Sequence, residues 1–420
     1  MNHLVLKKLK ETILLYDVAI IGGGIAGLTA ATLLGKRGYK VVVLEKHKTI
    51  GACNKLQMQG FPAFEIPNLP FRVPPNYKVT QAKIWSPNRS IIPMTFENPI
   101  LYLQYRGPEN SIDTFLYNLA LKAGADIIPS SEVRKLGNGK LINEIITTNN
   151  ETYKARCILV ANGASNRFRR FFDIDLLEPK GIGLGAVVEN IDINPNEIHG
   201  AFSQKIAPMG YSYVIGHSDG TATVAMSARP RYLVKKSSEY LEKTMKFFQP
   251  ILKDSKKISS FSGIVTCNDK AQTLVHKNVL FIGEAGGFQD PMFGFGMAPS
   301  MKSAEIAVKI IEDALITNND NIYLEKLNKF NKNTMMKELH RKIKLGIFAR
   351  KAILENISDA QLESIIPLLK GKGKQIEKIL IHGTKYILPT SISILITRPF
   401  LLRYLFKSIR YIVRSRKNHQ

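Results

Sequence analysis

The chain has 420 residues, 45% of them hydrophobic and 22% charged, a balance that excludes a wholly disordered or collagen-like protein and leaves room for roughly two or three domains. Lys and Arg number 59 against 34 Asp and Glu, a formal charge of +25, which directs the protein toward something anionic: nucleic acid, a lipid surface or a phosphorylated substrate. The cysteines Cys53, Cys157 and Cys267 are too few and too scattered for a disulfide framework or a metal site, as expected of a cytosolic chain.

In chain order, Met1 to Tyr16 interleaves Lys7, Lys8, Lys10 and Glu11 with short apolar runs. It lacks a continuous apolar core and a small-residue cleavage site, so no signal peptide is expected. Asp17–Ile21 is a short apolar run that meets glycines at once, the pattern of a buried parallel strand. Ile25 to Lys36 is rich in Ala and Leu and is followed by Gly38, which predicts a helix, and Lys40–Glu45 predicts a second strand. Residues 111–123 begin on the cap Ser111, keep helical apolar spacing and stop at Gly124.

The texture changes between about 180 and 270. Gly210 to Met226 predicts two strands around an Asp219-Gly220 turn, with further strands near 184–193 and 260–267. That is an antiparallel sheet set into an α/β domain. A parallel-type strand returns at Asn278–Gly283, followed by a helix from about Met297 to Thr317. Beyond 320 the pattern is helical, with a loop at 370–374, and no internal repeat is present.

Gly22-Gly23-Gly24-Ile25-Ala26-Gly27 falls between the first strand and the first helix, and Glu45 ends the second strand. In that setting Gly22 makes the tight turn, Gly24 lets backbone N–H groups approach a pyrophosphate, and Gly27 permits close helix–strand packing. The helix start, Ile25 and Ala26 included, stabilises the anion. Glu45 would accept hydrogen bonds from ribose hydroxyls. This predicts an adenine dinucleotide. A second motif selects FAD over NAD: Val279–Glu284 is a strand ending in Gly283 and the carboxylate Glu284, followed by Pro291, Gly294, Gly296 and Met297 at a helix start. Glu284 would bind ribityl hydroxyls, and the glycine-opened helix would present N–H groups to the N1–C2=O edge, where reduced flavin carries negative charge.

This pairing of Gly22–Gly27 with Gly283–Met297 resembles the p-hydroxybenzoate hydroxylase superfamily of FAD-dependent enzymes and, within it, the geranylgeranyl reductase family, over roughly residues 15–315. The segment Tyr105-Arg106 with Ile112-Asp113-Thr-Phe-Leu116 is similar to one whose arginine contacts FAD, which implies that role for Arg106. Ala161-Asn162-Gly163-Ala164 stands at the superfamily's Asp-Gly motif, implying a cofactor contact at Gly163; Asn162 and Glu284 both replace an Asp. Tyr211 and Tyr213 occupy an outline of the reductases' aromatic substrate motif, and Phe293 and Phe295 flank the second glycine motif. These four would line an apolar substrate tunnel, or pack as ordinary core aromatics. Cys53 lies near a cysteine that the reductases carry beside the flavin, which implies a proton donor; the alternative is a small buried hydrophobe.

The resemblance implies an α/β (α+β insert) fold: a Rossmann-type FAD-binding domain over 1–170 and 275–320, an antiparallel-sheet substrate domain over 171–274 that can take part of 55–100, and a basic helical region over 321–420. The activity it implies is reduction of carbon–carbon double bonds in an isoprenoid lipid by hydride from flavin N5. A flavin monooxygenase of a hydrophobic substrate shares the fold and remains open, as does a non-catalytic flavoprotein held to membrane or nucleic acid by its tail. No His-x-x-x-His spacing or hydrolytic triad stands out, and no catalytic metal is expected. Only one dinucleotide fingerprint exists, so NAD(P)H and a ferredoxin both stay open as electron donor.

Charge concentrates at the end of the chain. Residues 321–420 hold 21 Lys/Arg and 6 Asp/Glu, and from Arg398 onward there are seven basic residues and no acidic one. Arg403, Lys407, Arg410, Arg414 and Lys417 form one helical stripe, with Leu402, Leu405, Phe406, Ile409, Ile412 and Val413 on the rest of the circumference. That is a basic amphipathic helix suited to an anionic membrane surface; no nucleic-acid motif accompanies it. The expected location is cytoplasmic, peripheral on the membrane face.

Overall fold

A computed structural model describes residues 15–382 apart from 54–56, 64–68, 178–179, 267–272, 292, 334–336, 338, 340–349 and 351–356. The expectations for Cys267, for residues 1–14 and for the basic tail 398–420 lie outside the described residues.

The chain opens on β1 (Leu15–Ile21), α1 (Ile25–Gly35) and β2 (Val41–Leu44). Ten residues of α1 are buried, and it is apolar on all sides, because the sheet, a neighbouring helix and a later helix enclose it. Five strands follow: β3 (Gln57–Pro62), β4 (Tyr77–Val79), β5 (Gln81–Trp85), β6 (Ile91–Thr95) and β7 (Leu101–Arg106). Helix α2 (Ile112–Lys122) starts where the Ser111 hydroxyl caps the Thr114 N–H and ends before Gly124. Then come β8 (Asp126–Ile128), β9 (Val133–Leu136), β10 (Glu144–Thr147), β11 (Thr152–Val160) and the short α3 (Arg167–Phe171).

The insert comprises β12 (Lys180–Glu189), β13 (Glu197–Ala201), β14 (Tyr211–Gly216), β15 (Thr221–Ala228), α4 (Ser237–Phe247) and β16 (Lys256–Thr266). The chain returns through β17 (Val275–His276), β18 (Val279–Phe281) and the long α5 (Met297–Leu315), and continues with α6 (Asp320–Lys332), α7 (Asp359–Ile365) and α8 (Gly373–His382).

These strands form three sheets. The eight-stranded sheet runs β17-β18-β11-β1-β2-β8, with β10 and β9 attached at β11, and β18, β11, β1, β2 and β8 are mutually parallel. Its central strands are buried on both faces, as their continuous Val/Ile/Leu runs require. The seven-stranded sheet runs β16-β12-β15-β14-β13-β5-β6. It is antiparallel as expected except at one place: β5, from the first quarter of the chain, joins β13 in parallel. Residues 81–95 therefore build the same sheet as the insert. Pro93 sits in β6, at the sheet's end, where a missing N–H costs no ladder bond. The three-stranded sheet β3-β7-β4 contributes to two apolar clusters: Phe61 joins the core around α1 and α5, and Met58, Leu103 and Tyr105 pack with Ile215 and Tyr213 of the seven-stranded sheet.

Candidate functional site

The glycine turn sits where β1 meets α1. Gly22 has φ +110°, a conformation only glycine adopts freely, and a Cβ on Gly27 would collide with the Gly22 carbonyl. These two glycines fix the turn itself. Gly24 differs: a Cβ there meets nothing within 4 Å, so its missing side chain leaves open space beside the start of α1. Glu45 accepts from the Gly23 N–H (2.7 Å) and the His47 N–H (2.9 Å). Its carboxylate is held at the rim of the glycine turn, with lone pairs left for a ribose.

Two distant segments close on the same place. A Cβ on Gly22 would meet the Ala161 carbonyl and Asn162 Cα, and Asn162 Oδ1 is buried with no hydrogen-bond partner among the described residues. Position 163 abuts Glu284: a Cβ there would lie 3.9 Å from Glu284 Oε2. Gly283 presses on the first helix, where its Cβ would fall 2.7 Å from that of Ala26, and its N–H is held by Ser303 Oγ of α5 at 2.9 Å. Glu284 Oε1 accepts from the Thr266 N–H at 2.8 Å. The motifs expected to share a cofactor thus stand side by side.

At the start of α5 the backbone donors are open. The N–H groups of Phe295, Gly296, Met297 and Ala298 have no partner among the described residues, and the next residue is Pro299. A helix start with a row of bare N–H groups favours an electron-rich acceptor. Open space at Gly24, the orphaned Asn162 oxygen, the Glu45 and Glu284 carboxylates and these donors fit one extended dinucleotide carrying a flavin.

Arg106 lies close by, but its side chain already has partners. Nε and Nη2 donate to the two Asp113 oxygens at 2.8 and 2.9 Å, and Nη1 donates to Gln59 Oε1 at 2.9 Å. Asp113 also accepts from the Gly107 N–H. The Arg–Asp pair therefore clamps β7 to the start of α2 and to β3. Cys53 is exposed; the protein around its thiol raises its pKa, with Arg106 pulling the other way and Asp113 and Glu45 adding to the rise. The thiol is held in its protonated form.

The four aromatics expected to contact substrate form one group. Tyr211 and Tyr213, on one face of β14, have ring centroids 6.1 Å apart. Tyr211 meets Phe293 at 5.7 Å and Phe202 at 6.5 Å, and Phe293 meets Phe295 at 5.8 Å. The Tyr211 hydroxyl donates to the Phe293 carbonyl. Burial pushes the Tyr213 hydroxyl up to about 12, so it stays protonated. Phe202 was missed in the sequence because it lies in no strand of its own pattern, and only pairing of β13 with β14 brings it here. Met297 is buried. Pro291 is fixed too: its carbonyl accepts from Arg350 Nη1 at 2.9 Å.

Among the described residues there is no group of His, Cys, Asp and Glu that could hold a metal ion, and no helix long and apolar enough to cross a membrane.

Residues 20–81 match the family model described as NAD(P)-binding Rossmann-like domain. The chain is 26% identical over 376 residues to digeranylgeranylglycerophospholipid reductase of Thermoplasma acidophilum, covering 84% of this chain and 91% of that one. It is 24% identical over 372 residues to digeranylgeranylglycerophospholipid reductase 2 of Methanothermobacter thermautotrophicus, covering 85% and 92%. Among solved structures, a geranylgeranyl bacteriochlorophyll reductase-like protein from Thermoplasma acidophilum superposes with a TM-score of 0.80 at 22% identity, covering 94% of this chain and 99% of that one. A halogenase in complex with FAD superposes with a TM-score of 0.64 at 15% identity, covering 93% and 85%.

Proposed function

We propose that the chain is a member of the geranylgeranyl reductase family of FAD-dependent oxidoreductases and that it saturates carbon–carbon double bonds in the isoprenoid chains of a digeranylgeranylglycerophospholipid or a close relative of it. The observation that carries this reading is a juxtaposition. The loop whose bare N–H groups suit a flavin also supplies Phe293 and Phe295 to the aromatic group around Tyr211 and Tyr213. A dinucleotide seat and an apolar wall thus share one loop.

FAD, when bound, supplies the hydride from N5. The chain's residues do the rest. Glu45 would hold the adenine-side ribose, the open face at Gly24 the pyrophosphate, and Glu284 the ribityl hydroxyls. The N–H groups of Phe295, Gly296 and Met297 would face the pyrimidine edge, where negative charge collects on reduction. The rings of Phe202, Tyr211, Tyr213 and Phe293 would hold an alkene chain and exclude water. Cys53, kept protonated, would carry a proton at Sγ for the second carbon of the alkene. Arg106 would act beside the cofactor chiefly through the clamp it forms with Asp113.

The basic stripe of residues 398–420 would hold the enzyme on an anionic membrane surface, from which the lipid is drawn. Its apolar side suits the headgroup–acyl boundary, and each basic residue near such a surface adds about 1 kcal/mol. Residues 81–95 would work with the insert as part of the substrate sheet. Purifying the protein, recording its flavin spectrum and identifying co-purified lipid by mass spectrometry tests the proposal. A yellow protein carrying prenyl glycerolipid supports it; a protein that stays colourless after incubation with FAD defeats it.

A further inference from the structure

We propose that Gln289 is a positioning residue that turns the loop before α5 so that only N–H groups face the flavin, and that it thereby raises the reduction potential of the bound cofactor. The inference rests on the reading of residues 293–297 as the flavin-facing loop.

Gln289 is 6% exposed, an uncommon place for a side-chain amide. Its Nε2 donates to the Gly294 carbonyl at 2.8 Å. Its Oε1 lies 3.3 Å from the Thr266 hydroxyl, at the end of β16 and beside Glu284. The side chain runs directly under the loop: a Cβ on Gly294 would lie 3.6 Å from Nε2, and one on Gly296 would lie 3.8 Å from Cγ. The backbone repeats the same arrangement one residue on, where the Asp290 N–H donates to the Phe295 carbonyl at 2.8 Å.

A trans peptide points its C=O and the following N–H in opposite directions. With the carbonyls of Gly294 and Phe295 both drawn inward, the N–H groups of Phe295 and Gly296 turn outward, in line with the bare donors of Met297 and Ala298. Without the amide, the 294–295 peptide is free to rotate and to offer its carbonyl to the same space. A carbonyl there would repel the negative charge of reduced flavin, whereas N–H groups stabilise it. Gln289 does not reach that space itself and acts only through the loop.

The test compares purified full-length wild type, Gln289→Met and Gln289→Glu, each loaded with FAD. FAD stoichiometry, FAD affinity, the midpoint potential of bound flavin and the melting temperature of the apoprotein are measured. Methionine keeps the length and removes the donor; glutamate removes the donor and adds charge. The expected result is an apoprotein that melts slightly lower, as one lost buried hydrogen bond requires, FAD affinity about tenfold weaker, the fold-change of one hydrogen bond lost to the cofactor, and a midpoint potential shifted negative in both variants, further in Glu than in Met. Loss of FAD from either variant with no more than that slight fall in apoprotein melting temperature also supports the role. Stoichiometric FAD with wild-type potentials in both variants overturns it. A large fall in melting temperature in both variants, well beyond that of one hydrogen bond, with potentials unshifted or FAD lost, overturns it in favour of plain structural support. If wild type itself takes up no FAD, the reading of the loop fails instead.

Discussion

The Tyr211 hydroxyl donates to the backbone carbonyl of Phe293, so the middle of the seven-stranded sheet is tied to the loop that opens α5. The two residues are 82 positions apart in sequence. Their bond holds the rings of Tyr211 and Phe293, 5.7 Å apart, in one group with Tyr213 and Phe295.

Tyr211→Phe removes that bond and keeps the ring. The expected cost is about 1 kcal/mol of stability, with FAD content unchanged and a raised KM for prenyl substrate. Tyr211→Ala also removes ring contacts with Phe202, Tyr213 and Phe293 and should cost about 3 kcal/mol or more. Denaturant unfolding and steady-state kinetics on the two variants check both statements.

Gly24→Val and Gly27→Ala should fail in different ways. The space beside Gly24 is empty in the protein, so its valine variant should fold with a near wild-type melting temperature and bind no FAD. Gly27 faces the Gly22 carbonyl with no room for a methyl group, so its alanine variant should unfold at lower temperature. Calorimetry of the apoproteins with flavin absorbance after reconstitution separates the two.

The buried His217 gives a pH signature. Its ring nitrogens meet the hydroxyls of Thr221 (2.7 Å) and Thr223 (3.0 Å), and burial lowers its pKa to about 4. The unfolded chain takes up this proton below pH 6.5, whereas the folded protein does so only near pH 4. Stability is therefore full above pH 6.5 and falls as pH drops from 6.5 to 4, by about 3 kcal/mol from this group. Burial lowers His199 as well and adds to the same slope. His217→Gln should flatten most of the decline, read by urea unfolding at pH 7 and pH 4.5.

Much of the framework around the two glycine motifs was legible because its signals are local. A tight glycine turn, a strand-ending carboxylate and a glycine-opened helix each follow from residues adjacent in sequence, and β1, α1, β2, α2 and α5 lie within a few residues of their expected limits. What was not legible depends on pairing across long stretches. Nothing in Gln81–Trp85 announces a parallel partner more than 100 residues away at Glu197–Ala201. Arg106 shows the same limit: residue type and motif suggest a cofactor contact, and only the folded geometry reveals its bidentate pair with Asp113. Gln289 carries no motif at all, and its burial under Gly294 and Gly296 emerges only when the loop is folded.

Truncation after Thr397 tests membrane docking by the basic tail. The shortened protein should keep its FAD and its melting temperature and lose most binding to anionic vesicles at low salt. Full-length protein should lose the same binding as salt rises, because the Debye length is only about 8 Å at physiological ionic strength. Equal vesicle binding by the two proteins at low salt contradicts the docking role.

The central claim is reduction of an isoprenoid alkene at the site shared by the dinucleotide seat and the aromatic wall. A single-turnover experiment tests it most directly: FAD-loaded protein is reduced under anaerobic conditions, mixed with digeranylgeranylglycerophospholipid, and followed by flavin absorbance and lipid mass. The account predicts re-oxidation of the flavin without oxygen, with one double bond saturated for each flavin re-oxidised. Flavin that stays reduced with this lipid until oxygen is admitted, with the lipid unchanged or hydroxylated, would contradict it.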